Sequence, residues 1–315
     1  MKKDAKIFVA GGQSGLVGTA IVRSLMKNGY TNIITRKRSE LDLESSAQVE
    51  NFFEKVKPEY VFLAAALVGG IMANKTRKAD FIYDNLQIQN NVIHASWKNK
   101  VKKLMFLGSS CIYPKLAKQP IKESYLLTGP LEETNDAYAI SKIAGIKMCQ
   151  SYNEQYGTNF ISVMPTNLYG PHDNFDLNSS HVLPALIRKF HDAKNGHKKE
   201  VVLWGTGNVF REFLYVDDMA DACVYLMEHY DNSEIINIGT GVDLKIKELA
   251  QIIKKIIGFK GKIVWDSTKP DGTPKKLLDI SRLHSLGWKP QMELEKGIGI
   301  EYDWFLNNFQ TTKSQ

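Results

Sequence analysis

The sequence has only three cysteines, Cys111, Cys149 and Cys223, far apart and without metal-like spacing. Such a set builds neither a disulfide framework nor a zinc site, so each thiol stands alone and no metal is expected. Long apolar runs are missing too: none reaches the roughly 18 residues needed to cross a bilayer. After Met1, Lys2 and Lys3 a short apolar run leads straight into glycines rather than a signal peptide, which places the expected protein in the cytoplasm. Repeats and low-complexity tracts are also lacking. The net charge of +7 comes from scattered lysines with no basic stripe among exposed aromatics, so a polyanionic small molecule accounts for it as well as nucleic acid does. A chain of 315 residues has room for one or two globular units with sizeable cores.

Residues 6–10 read as a buried strand, 11–18 as a glycine-rich turn and 19–28 as an amphipathic helix. Gly12, Gly15 and Gly18, with Gly11 extra, allow a sharp turn, close approach of backbone amides to a pyrophosphate and tight packing of helix on strand. A second strand, 32–35, ends in Arg36, Lys37 and Arg38, where an acidic residue would grip a ribose hydroxyl. Cations there suit a 2′-phosphate, so NADPH is expected rather than NADH; the other reading is an exposed basic turn. Asp42, further on, lies either near the adenine side or in solvent.

Strands are further expected at 60–66, 103–107 and 160–164, with a helix over 83–99 in which His94 is packed or exposed rather than catalytic. The alternation implies a doubly wound parallel sheet, whose ligands sit at the carboxyl ends of the strands. Ser109 and Cys111 fall there. Tyr138 and Lys142, four residues apart at the start of a helix, share one face, so the ammonium is expected to lower the pKa of the phenol and ready it as a proton donor. Beyond residue 170 the pattern loosens into a substrate-holding region: strands at 201–204, 213–216 and 235–238, helices at 181–191, 218–227, 244–257 and 294–307, a turn at 269–273, and Asp243 as a helix cap. The tail 311–315 is expected to fray.

The glycine loop, the serine after the fourth strand and the Tyr138 and Lys142 pair together resemble the extended short-chain dehydrogenase/reductase superfamily. Within it the words LGSSCIYPK (107–115), MPTNLYGPHDNF (164–175), SHV (180–182), REFL (211–214) and KPDGTP (269–274) are similar to the GDP-L-fucose synthase family over nearly the whole chain. The resemblance implies an NADPH-dependent 3,5-epimerisation and 4-reduction of a GDP-4-keto-6-deoxy-D-mannose in a homodimer. It further implies a Rossmann domain over 1–170 with a return segment near 213–240, and a mixed α/β substrate domain over 171–315.

Carried over by position, Ser109, Tyr138 and Lys142 match the reductase triad, and Cys111 and His181 the epimerisation base and acid. The ketone at C4 acidifies the hydrogens at C3 and C5, so a thiolate can remove one and an imidazolium can return it from the opposite face. The cofactor is implied to lie along Gly12, Gln13, Ser14, Gly15, Leu16, Val17 and Gly18, then Arg36, Arg38, Asp42 and Leu43. Ala65, Leu107, Lys142, Pro165, Asn167, Leu168 and His181 would complete its wall. Lys189, Trp204, Arg211, Asp271 and Lys276 match positions at the GDP end, where cations suit the pyrophosphate and an aromatic walls or stacks on guanine.

The chain departs from the family at Ser14, where a basic residue is common nearby, at Leu67, where a lysine is common, and at 176–179 beside His181. Arg36 and Arg38 must then carry more of the 2′-phosphate preference. The last two changes fall near the sugar, which leaves open a C4 reductase of a GDP-4-keto-6-deoxy-heptose with little or no epimerisation. A non-catalytic NADPH- or RNA-binding protein would be marked by a broken triad, and this triad is complete.

Overall fold

The computed structural model describes residues 1–269 and 271–309; Pro270 and the tail over 311–315, expected to fray, lie outside these. All of β1 (Ile7–Ala10) is buried, and the pleat sends Ile7 and Val9 into one core and Phe8 and Ala10 into another. A strand covered on both faces must be apolar throughout. Then come α1 (Leu16–Lys27), β2 (Ile33–Ile34), α2 (Ser46–Val56), β3 (Tyr60–Leu63), α3 (Ile71–Thr76), α4 (Lys78–Lys98), β4 (Lys103–Leu107), α5 (Asp136–Tyr156) and β5 (Phe160–Pro165). The remainder forms β6 (Asn167–Tyr169), α6 (Val182–Asn195), β7 (Glu200–Trp204), β8 (Phe210–Tyr215), α7 (Val216–His229), β9 (Ile236–Ile238), β10 (Asp243–Lys245), α8 (Ile246–Ile257), β11 (Lys262–Asp266), β12 (Lys275–Lys276), α9 (Ser281–Ser285) and α10 (Leu294–Asn308).

Six parallel strands in the order β2-β1-β3-β4-β5-β9 form the doubly wound sheet that the alternation implied. On one face, Ala20, Ile21 and Leu25 of α1 and Met219 and Cys223 of α7 pack on Ile7, Val9 and Met105. On the other, Val49 and Phe53 of α2, Val92 of α4 and Ile146 and Cys149 of α5 pack on Phe8, Leu63 and Phe106. Burying each of these large side chains is worth roughly 1.5–3 kcal/mol. A third core joins α6, α8 and α10 through Phe190, Leu249, Ile253 and Phe305.

Several elements differ from the sequence reading. The strand expected at 213–216 begins at Phe210 and belongs to a separate sheet, β10-β8-β12, with β6 alongside. Glu212 explains its placement: fully buried, it accepts from the amides of Thr240, Gly241 and Leu278 at 2.6, 2.8 and 3.0 Å, tying both regions to one carboxyl group. Asp243 is not a helix cap; it lies in β10 and pairs with Lys275 at 3.1 Å, while Lys245 and Glu248 form the start of α8. The strand at 60–66 stops at Leu63, and the helix expected from 83 begins at Lys78. Helix α2 was not anticipated, although Ser45 caps it and its buried Val49 and Phe53 are four apart.

Candidate active site

One cleft of about 820 Å3 runs along the carboxyl ends of β1, β3, β4 and β5 and on between α6, β8 and the turn at 271–273. Its first half is shaped by glycine. Gly11 and Gly15 have φ of 88° and 80°, and a Cβ on Gly18 would stand 1.9 Å from the Gly11 carbonyl oxygen, so no other residue lets α1 rest on the turn. Gly15 caps α1 without a side-chain bond and no acidic residue sits in the first turn, leaving amides and the positive helix end open to an anion. These features fit the pyrophosphate of a dinucleotide.

Gln13, Ser14, Gly15, Leu16, Val17 and Gly18 line this half, with Arg36, Arg38, Asp42 and Leu43 at its outer end and Ala65, Leu107, Pro165, Asn167 and Leu168 along the wall. Gly12 does not: it is buried between Val9 and Thr35, where a Cβ would come within 2.6 Å of the threonine methyl. Gly11 lines the cleft in its place. Arg36 lies over the Phe52 ring at 5.6 Å, and Arg38 is bound to Glu44 at 2.7 Å with Asp42 at 4.0 Å. Both guanidiniums stand at the outer end of this half, Arg38 held by Glu44 rather than free.

The chemistry-bearing side chains converge in the middle. Ser109, two residues past the end of β4, caps a short 3-10 turn, its hydroxyl accepting from the Cys111 amide at 3.2 Å, which fixes where the thiol points. Tyr138, in the first turn of α5, packs edge-on against Phe81 at 6.2 Å. Lys142 is one turn on, with its ammonium 5.8 Å from the Tyr138 ring, so the shared face is as the spacing required. The expected tuning differs. Lys142 is 4% exposed, donates to the Leu107 carbonyl at 2.8 Å and is lowered to about 7 by burial. Burial and then a charge on Cys111 push the Tyr138 phenol up, the Ser109 hydroxyl countering only part. The phenol is thus held protonated, as a proton donor must be.

Cys111 is opposite in character. Burial would raise its thiol, but Lys276, whose ammonium donates to Sγ at 3.4 Å, outweighs this together with Ser109 and Arg211, and the thiol falls below the usual cysteine value. Cys149, buried among core side chains, is pushed up to about 12, and Cys223 also rises. His181, at the start of α6, reaches water in the cleft, yet the protein around it and then the Lys276 charge lower its imidazole.

At the far end Trp204 is 47% exposed, with the ammoniums of Lys189 and Lys269 at 5.0 and 5.6 Å from its ring. Arg211 donates to the carbonyls of Phe210 and Asp271 at 2.7 and 3.3 Å. Both carboxylate oxygens of Asp271 bind Thr206, through its amide and hydroxyl, so Asp271 braces the pocket wall. Lys276, expected at this end, stands at Cys111 instead. Glu132 and Asn135 also line the cleft and were not anticipated, nor was Lys269 over Trp204; Lys269 is two residues from Asp271 in the same sequence word, whereas no spacing links Glu132 to Cys111. Among the described residues no helix is long and apolar enough to cross a membrane, and no group of three or more His, Cys, Asp or Glu residues could hold a metal ion.

Residues 7–239 match the profile of the NAD dependent epimerase/dehydratase family. The chain is 60% identical to GDP-L-fucose synthase 1 of Arabidopsis thaliana, covering 97% of this chain and 94% of that protein. It is 55% identical to GDP-L-fucose synthase of Escherichia coli K12, over 96% and 97%. Among solved structures, a GDP-mannoheptose C4 reductase from Campylobacter jejuni with NADP bound superposes with a TM-score of 0.89 at 47% identity, over 97% and 99%. The glycine cradle, the convergence of Ser109, Tyr138 and Lys142, and these matches lead to one conclusion: the chain belongs to the NAD dependent epimerase/dehydratase family, in the GDP-L-fucose synthase group of the extended short-chain dehydrogenases/reductases.

Proposed function

We propose that the protein is an NADPH-dependent enzyme that epimerises GDP-4-keto-6-deoxy-D-mannose at C3 and C5 and reduces it at C4 to GDP-L-fucose. The observation that carries this reading is the Cys111 thiol, with the Lys276 ammonium donating to it at 3.4 Å, in one cleft with the Tyr138 phenol; these surroundings favour the thiolate on one and the proton on the other. NADPH, when bound, supplies the hydride for C4. Gly15, Ser14 and the start of α1 would hold its pyrophosphate, Arg36 and Arg38 its 2′-phosphate, and Lys142 its nicotinamide ribose.

Cys111 as thiolate takes the proton from a carbon next to the ketone, and His181 in its protonated form returns one from the opposite face. Tyr138 and Ser109 hydrogen-bond the C4 oxygen as charge develops on it, and Tyr138 gives that oxygen its proton at reduction. Lys189, Trp204, Lys269 and Arg211 would hold the GDP moiety. The division near residue 170, with the return of 213–240 to the first domain, a homodimer and a cytoplasmic setting belong to the same proposal. Incubation with GDP-4-keto-6-deoxy-D-mannose and NADPH is expected to consume cofactor and yield the L-fucose configuration by NMR. A reductase of the heptose substrate alone would show consumption only with the GDP-4-keto-6-deoxy-heptose, and that outcome would replace this reading.

A further inference from the structure

Beside Cys111, sharing Cys111, Glu132, Asn135 and Lys276 with the wall of the broad cleft, lies a small cavity of about 20 Å3. A polar cavity this size holds one water molecule. Its walls offer what a water needs: Oδ1 of Asn135 is buried and accepts no hydrogen bond, Oε2 of Glu132 is buried with an ion pair to Lys115 as its one partner, and the Lys276 ammonium donates at the cavity edge to Cys111. Oε2 of Glu132 lies 3.1 Å from that Lys115 ammonium, which is 40% exposed. Thiol, cavity, carboxylate and surface cation therefore form a continuous line from the reacting centre to solvent.

The need for such a line follows from the reaction proposed above, on which this inference rests. Each inversion leaves the thiol protonated and the imidazole deprotonated, and two inversions are required. His181 faces water in the cleft and can regain its proton there. A sugar bound against Cys111 in the cleft would displace the water there, leaving the small cavity as the thiol's other polar neighbour. We infer that Glu132, through a water molecule seated in the cavity, takes the proton collected by Cys111 and passes it to solvent beside Lys115, so that one thiolate serves both inversions.

The step balances without a further reactant. The S–H bond breaks toward the water, the water gives one of its own protons to the Glu132 carboxylate, and Cys111 is again a thiolate. Glu132 then loses the proton to bulk water. The charged and titratable groups facing Cys111 are Lys276 on β12, Arg211 on β8, Tyr138 on α5 and Glu132 on the segment before α5. Lys276 and Arg211 hold the thiolate charge; of the four, only Glu132 is both an acceptor and connected to the surface.

The test uses wild-type protein, Glu132→Gln and Glu132→Asp with GDP-4-keto-6-deoxy-D-mannose and NADPH in deuterated water, reading deuterium at C3 and C5 by NMR. NADPH affinity, by fluorescence titration, checks that each variant retains its fold. Glu132→Gln is expected to keep the first exchange near the wild-type rate, slow the second by roughly 10- to 100-fold and accumulate product inverted at a single carbon. Glu132→Asp is expected to recover much of the second exchange. An unchanged ratio between the two carbons in Glu132→Gln overturns the inference, and so does an equal fall in both exchanges and in hydride transfer, which marks a merely structural residue. Absence of exchange at both carbons in the wild type would instead overturn the proposed reaction itself.

Discussion

The ammonium of Lys276 donates to Sγ of Cys111 at 3.4 Å across a separation of 165 residues. The contact exists because β12 runs beside β8 with Lys276 in register with Arg211, bringing two cations to the thiol at once. Replacing Lys276 with methionine removes the nearer one, and an opposite charge at this range is worth about 1–3 pH units. The midpoint of Cys111 alkylation by iodoacetamide is expected to move up by that amount, with Arg in place of Lys restoring it. Cys149 and Cys223 are fully buried and do not obscure the reading. An unmoved midpoint would mean that Lys276 does not set the thiol.

Tyr138→Phe is expected to lower the rate of hydride transfer by about 10²–10⁴-fold, since it removes the proton donor for the C4 oxygen. NADPH binding should be unchanged, because nothing in the cofactor half depends on the phenol. Stopped-flow measurement of NADPH oxidation, with a parallel binding titration, separates the two. Turnover at the wild-type rate would remove Tyr138 from its role.

Arg38 is bound to Glu44, so freeing it should favour the 2′-phosphate. Glu44→Gln is expected to tighten NADPH binding and Arg38→Ala to weaken it by about tenfold, as for one charge-assisted contact. Neither should alter NADH binding much. Equal changes for both cofactors in a fluorescence titration would contradict the assignment.

Glu301 is fully buried, its carboxyl meeting only the Gly170 backbone, and it interacts with Asp173, whose Oδ2 is likewise buried. Burial raises both groups, Asp173 to about 7, and each raises the cost of charging the other. A carboxyl whose folded value is raised favours the folded state while it keeps its proton. That stability is full below the unfolded value of about 4 and is lost as pH rises toward 7 and beyond. The melting temperature should fall from pH 5 to pH 8, and Glu301→Gln should flatten the slope. A steeper slope in the variant would refute the pair as its source.

The residues show which parts of this were legible in the chain. β1 announced itself because both of its faces are buried, Gly15 because the turn takes a positive φ there, and Gly18 because turn and helix approach too closely for a side chain. Tyr138 and Lys142 were legible because helix spacing alone puts them together. Their electrostatics were not, since the Leu107 carbonyl that holds Lys142 comes from another element. Lys276 was assigned by its matching family position to the nucleotide end, and only strand pairing reveals that it faces Cys111. Glu132 had no local signal at all.

The most direct test of the central claim is turnover of GDP-4-keto-6-deoxy-D-mannose with NADPH in deuterated water, comparing wild type with Cys111→Ser. The account predicts deuterium at both C3 and C5 of the wild-type product, and loss of that label in the variant while direct reduction at C4 continues. Reduction by the wild type without deuterium at either carbon would contradict it.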